Sequence, residues 1–269
     1  VGAATRALRL AQSSPDDAED LRKPAWVERM RDWMPGDGGA PELPPVVDAV
    51  SGLIRAGKVG ALVAAGGTGK TTLLLIQAIC HALHRPFFGM DVVPGTFVII
   101  TNDDPLEDLQ RALELVMQAM QLGSDERVQV RRRVRLHSLQ GEAGTKAFTT
   151  TRAGAAMPTA LQEYLLEALG PIPDLVGVAF DTLRHFSGGS SNDEQVITLT
   201  IQAATEIAHR TGAYVVLVHH TGKANYRDGV QDQYCGSGSA AIADNCRFVL
   251  LLQRASWAEI EDKVQRTGQ

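Results

Sequence analysis

The chain contains no apolar run approaching the roughly 18 residues that a helical membrane span requires, so no membrane partner is expected. Its opening stretch, VGAATRALRLAQSSPDDAED, lacks a cationic start, an apolar block and a small-residue cleavage site, and does not read as a secretory signal. A soluble, cytoplasmic protein is the expectation. Cysteine is scarce. Cys80, Cys235 and Cys246 are an odd number with no C-x-x-C pair and no histidine pattern beside them, which argues against a disulfide framework or a zinc site. Positive charge is also short: 26 Lys and Arg face 31 Asp and Glu, for a net charge of −5. That balance disfavours a uniformly basic surface for nucleic acid, although it leaves room for a basic lining in a channel.

What is present is ordinary for one large globular unit: 269 residues, 44% apolar and 21% charged. Residues 1–49 are polar and include the proline- and glycine-rich PGDGGAPELPP, together with PAWVERMRDWM, in which Trp26, Met30 and Trp33 recur at helical spacing. This region reads as an arm or linker. Its aromatics either cover the edge of the chain's own core or dock on a neighbouring subunit, and both readings stay open. From about residue 50 onward, short apolar runs alternate with helical stretches. VGALVAA precedes a helix from Lys70, TFVIIT a helix from Leu106, and VRLHSL a helix near 158–169. LVGVAFD precedes a helix over 193–210, and AYVVLVHH and RFVLLLQ follow. Strands alternating with helices predict an α/β domain over 50–269, a mostly parallel twisted sheet flanked by helices.

Residues 61–72, ALVAAGGTGKTT, carry the clearest chemistry. They fit a strand, a glycine loop and a helix start, the arrangement that lets backbone N–H groups and a helix dipole hold phosphate. Ala64 stands where G-x-x-x-x-G-K-[ST] begins with glycine. The substitution is tolerable if the backbone there avoids the left-handed region, which a strand end does. Ala65, Gly66, Gly67, Thr68 and Gly69 would cradle the phosphates of ATP. Lys70 would reach the β and γ phosphates, Thr71 would hold Mg²⁺ through its hydroxyl, and Thr72 would approach the α-phosphate.

Three further sites complete a hydrolytic set. LVGVAFD ends at Asp181, placed to bind Mg²⁺; the competing reading makes it a cap for the next helix. TFVIITNDDP ends in two acids, of which Asp103 is the candidate base for the attacking water, with Asp104 capping the helix that Pro105 opens. AYVVLVHH ends in His219 and His220, candidates to sense the γ-phosphate, against the commoner role of core or solvated histidine.

GGTGKTT, NDDP with Arg111 in the following helix, FDTLRHF, VVLVHH and ADNCRFVLLL occur in the order found in RecA-like ATPases. Over about 50–255 the chain resembles the plasmid RepA-type hexameric replicative helicases. The resemblance implies a RecA-like P-loop core and a hexameric ring with ATP between subunits, moving along single-stranded DNA with a primase or replication initiator as partner. It implies phosphate and Mg²⁺ roles for Lys70 and Thr71, the strand-end acid at Asp181, and a γ-phosphate sensor at His220, with His219 beside it. It also implies an arginine finger at Arg247, offered to the next subunit, and a phosphate contact for Arg111. Three departures stand out. The family's catalytic glutamate falls on Asp103, shorter by one methylene. QYCGSGSAA lacks an arginine that relatives place there. The chain also stops at Gln269 where relatives continue, so the domain is expected to be incomplete at its C-terminal side.

In such rings the loops after the central strands face the channel. Here those are SLQGEAGTKAFTTTRAG and TGKANYRDGVQDQYCGSGS, both too polar to read as core. Within the second, Lys223, Tyr226 and Arg227 combine charge with a stacking face suited to single strands. Arg131, Arg132, Arg133 and Arg135 read instead as a solvated strand entry. The leading expectation is a DNA helicase motor. The alternative is a regulatory ATP-binding assembly protein with slow or absent hydrolysis. A recombination- or clock-type relative fits FDTLR and the paired histidines less well.

Overall fold

A computed structural model describes residues 46–144, 146–152, 155–190, 193–222, 234, 236 and 240–255. Trp26, Met30 and Trp33 of the arm, and Lys223, Tyr226 and Arg227, lie outside the described residues.

The predicted strands form one six-stranded sheet. Its members are β3 (Val59–Ala64), β4 (Thr96–Thr101), β5 (Val134–Ser138), β8 (Leu175–Asp181), β9 (Tyr214–His220) and β10 (Phe248–Leu252). They run in the order β10-β3-β9-β8-β4-β5, and every pairing is parallel. Two small antiparallel pairs flank the sheet: β1 (Asp48–Val50) with β2 (Ile54–Arg55), and β6 (Thr149–Arg152) with β7 (Ala155–Pro158). β1 therefore straddles the boundary set at residue 49, with Ala49 and Val50 buried.

Both faces are covered because the strands alternate two sets of apolar side chains. Val59, Ala61, Val63, Val98, Ile100, Val178, Phe180, Val215 and Leu217 pack against α4 (Leu161–Leu169), α5 (Leu183–Phe186), α6 (Glu194–Thr211) and α7 (Ala241–Asn245). Their neighbours Leu62, Phe97, Ile99, Ala179, Tyr214, Val216 and Val218 pack against α1 (Lys70–Leu83), α2 (Leu106–Ala119) and α3 (Ser124–Arg133). Burial on both sides is why the strands read as near-continuous apolar runs. At the centre of the α1 layer, Gly177 lets Phe97 and Tyr214 approach the sheet. A Cβ there would meet Phe97 at 2.6 Å and Tyr214 at 2.8 Å.

Two expectations need correction. Arg131, Arg132 and Arg133 form the last turn of α3, and only Arg135 lies in a strand. The glycine before this helix and Glu126 three residues on supply its start signal, Gly123 N–H donating to the Glu126 carboxylate at 3.0 Å. Basic residues in a last turn also oppose the negative end of the helix dipole. The stretch SLQGEAGTKAFTTTRAG is also not wholly a polar loop. Phe148 and Thr149 are buried, Phe148 stacks edge-on against Phe180, and the β6-β7 hairpin begins there.

Candidate active site

The carboxyl ends of β3, β9, β8 and β4 meet at one edge of the sheet, where Ala64 pairs with His220 and Thr101 with Asp181. This is where parallel sheets present ligand sites. Strand parity decides which side chains face α1. Asp181 shares the phase of Ala179, and His220 that of Val216 and Val218, so both belong to the α1 face. His219 has the opposite phase and is 2% exposed, with its ring 3.1 Å from the position of a Cβ on Gly236. The two adjacent histidines are thereby separated, with His220 on the face of the loop's lysine.

The loop from Ala65 to Gly69 bends at Gly67 (φ 68°) and Gly69 (φ 92°), left-handed positions that favour glycine. Ala64 needs no such freedom, because it is a paired strand residue whose carbonyl accepts from Thr221 N–H at 3.0 Å. Thr68 Oγ1 donates to the Ala65 carbonyl at 2.8 Å and tightens the bend. Lys70 opens α1 and is 8% exposed. Its ammonium donates to the carbonyls of Ala65 at 3.0 Å and Ala64 at 3.4 Å, and stands 3.4 Å from His220 Nδ1. Burial lowers the Lys70 pKa, opposed by the charges of Asp181 and Asp103. Burial and the neighbouring Lys70 charge hold His220 below its ordinary value.

Thr71 Oγ1 donates to Asp181 Oδ2 at 3.0 Å. The helix-cap reading of Asp181 is thereby set aside, since Thr182 occupies the N-cap position of α5 and the aspartate turns to the loop. Burial raises the Asp181 carboxyl to about 6, against the lowering effect of the Thr71 hydrogen bond. A buried carboxylate beside a threonine hydroxyl is a pair of hard oxygen donors. Together with nucleotide phosphates and water, such a pair suits Mg²⁺.

Asp103 follows β4, its N–H donating to Thr101 Oγ1 at 3.0 Å. Its carboxylate lies 2.8 Å from His185 Nε2 and accepts from Thr182 Oγ1 at 3.3 Å. Asp104 does not cap α2: Pro105 stands at the N-cap without a side-chain bond. The Asp104 carboxyl is raised by burial and by the neighbouring charges of Asp103 and Asp108.

Two residues of the expected set stand elsewhere. Arg111 has a 76% exposed side chain, pairs with Asp108 at 2.9 Å, and lines a groove with Val134 and Leu136 of β5. Strand β5 is four places from β3 in the sheet, about 19 Å away. Arg247 lies at the opposite end of the sheet, its N–H bonded to the Val59 carbonyl at 2.7 Å, in a hollow with Arg55 and Lys58. Five residues of strand separate that level from Ala64, about 17 Å. Conversely, two contributors were not assigned from sequence. His185 lies one turn beyond Asp181 within the quoted FDTLRHF, where a titratable group next to the acids was the available signal. Arg254, just past β10, donates to the Gly67 carbonyl. No local pattern announces it, because its role depends on β10 lying beside β3.

A family model described as an AAA domain matches residues 24–226, most of the chain and all of the loop, both acids and the histidine pair. With a parallel sheet, a glycine loop opening a helix, and a lysine, threonine and aspartate converging at the strand ends, the chain belongs to this AAA-domain family of P-loop ATPases.

Proposed function

We propose that the chain is the ATP-hydrolysing motor of a RepA-like helicase, a hexameric homo-oligomeric ring. It would translocate on single-stranded DNA during replication of a plasmid, phage or mobile element, with a primase or replication initiator as partner. The observation that carries this reading is the position of Arg247. It lies about 17 Å from its own loop along the strand direction, so a role on transferring phosphate requires a neighbouring copy's nucleotide. A head-to-tail contact of this kind closes into a ring when its rotation permits.

Within one subunit, the amides of the loop and the N-terminus of α1 bind the phosphates. Lys70 exchanges the Ala64 and Ala65 carbonyls for phosphate oxygens, and His220, now 3.4 Å from the ammonium, feels that exchange directly. Thr71 and Asp181 would hold Mg²⁺, which would supply neutralisation of the charge developing on the transferred phosphate. Asp103 orients the attacking water.

The test is ATP turnover with and without single-stranded DNA, alongside mass in solution with and without ATP. The expected result is DNA-stimulated hydrolysis by an ATP-stabilised ring, abolished by Lys70→Ala with the fold intact. Absence of stimulation by any DNA or RNA would remove the helicase reading. A second reading, a regulatory assembly protein with slow hydrolysis, is favoured by the engagement of Asp103 with His185 and Thr182. It predicts an oligomer that forms with ATP and releases no phosphate over hours.

A further inference from the structure

The carboxylate of Asp103 is drawn to one side. Oδ1 faces His185 Nε2 at 2.8 Å, and Oδ2 accepts from Thr182 Oγ1 at 3.3 Å. Both donors leave the sheet directly after Asp181, whereas the backbone of Asp103 is pinned independently to Thr101. A donor on a carboxylate fixes its direction and weakens it as a proton acceptor. A water-orienting aspartate needs a lone pair directed at the water and its basicity intact. Asp103 has one methylene less than glutamate, so it has little reach to serve the imidazole and a water together.

The element that supplies the restraint is built to be reached from outside. Leu183 and Phe186 anchor α5 in the core with no exposed surface, while Arg184 and His185 face outward, the latter with a side chain 49% exposed. One turn of helix thus carries two adjacent cationic or titratable groups at the surface, one of them in contact with the base. A polynucleotide phosphate meeting that pair would compete for the same Nε2–H, since an imidazole N–H directs one strong bond at a time.

We propose that His185 is a positioning residue that holds Asp103 off the attacking water in the nucleotide-free subunit, and that a backbone phosphate of the bound single strand at Arg184 and His185 releases it. The identity of the anion rests on the ring-motor reading; the restraint itself rests only on ATP hydrolysis.

The experiment measures steady-state ATP hydrolysis by the full chain, with and without oligothymidylate, for wild type, His185→Ala and His185→Gln, with Lys70→Ala as the blank. His185→Ala should raise the DNA-free kcat roughly five-fold, the scale of one partly exposed charge-assisted bond, with KM for ATP unchanged and the DNA-stimulated ratio reduced. His185→Gln keeps an N–H donor and should remain near wild type. A DNA-free kcat of His185→Ala at or below wild type overturns the restraint, as does absence of turnover in both. If DNA stimulates wild type and His185→Ala by the same factor, release through His185 is overturned while the motor reading stands. If DNA stimulates neither but His185→Ala is faster, the restraint stands, and the polymer as its release falls together with the motor reading.

Discussion

Asp181 is 4% exposed, and burial lifts its carboxyl from an ordinary 3.8 to about 6. Because the folded value exceeds the unfolded one, the native protein holds this proton more tightly. Its contribution to stability therefore falls as pH rises from roughly 4 to 6, and above that a cost of about 3 kcal/mol remains. Asp181→Asn should accordingly melt above wild type at alkaline pH without nucleotide, the gap closing towards pH 4, while losing Mg²⁺-dependent hydrolysis. Equal melting temperatures at both pH values would contradict the assignment. Arg254 supplies a second expectation: with its guanidinium on the Gly67 carbonyl, Arg254→Ala should weaken ATP and ADP binding about three- to ten-fold by calorimetry, with Arg254→Lys intermediate. The loop, Lys70 and Thr71 were legible because strand, glycines and helix adjoin in sequence, and Asp181 because it ends the apolar run LVGVAFD. The separation of His219 from His220 was not. VVLVHH is apolar on both phases, so its parity acquires meaning only once α1 is known to cover one face.

Helices and strands with strong periodicity emerge where the pattern places them. Asp193 caps α6 by accepting from Gln195 N–H at 3.0 Å, one residue before the helix proper. Weakly patterned elements do not declare themselves. Helix α3 buries only Val130, so its sequence shows charge and almost no apolar stripe; what holds it is contact with α1 and β5. In the same layer, His81 Nδ1 lies 2.7 Å from the Val93 carbonyl and Nε2 lies 2.8 Å from Tyr214 Oη. Burial lowers the His81 pKa, consistent with a neutral ring that donates through Nδ1 and accepts from the phenol. This bond ties α1 to β9 through the Tyr214 ring that packs over Gly177. Gly177→Ala places a methyl within 2.8 Å of both Phe97 and Tyr214 and should lower stability by about 1–3 kcal/mol, read as a reduced denaturation midpoint with an unchanged slope. An unaltered midpoint would mean that the two rings repack freely.

For the whole molecule, the distance between Arg247 and its own loop makes a prediction about mixtures. If the proposed ring forms, Lys70→Ala and Arg247→Ala should each be inactive alone yet complement one another when mixed. A subunit with an intact loop then meets a neighbour with an intact arginine, and random assembly of independent sites allows about a quarter of wild-type activity. Failure to complement, with mixed oligomers formed, would remove the assignment of Arg247 to a neighbouring copy's nucleotide. The sheet order was not readable from sequence, since parallel strands of similar composition carry no label for which neighbours which. Among the described residues, that order puts the phosphate-loop strand second from an edge, with β10 as its cover on that side. Shortening the polypeptide ahead of residue 248 would bare the hydrogen-bonding rim of β3 to any passing extended chain, so such a deletion should precipitate rather than merely lose its catalysis.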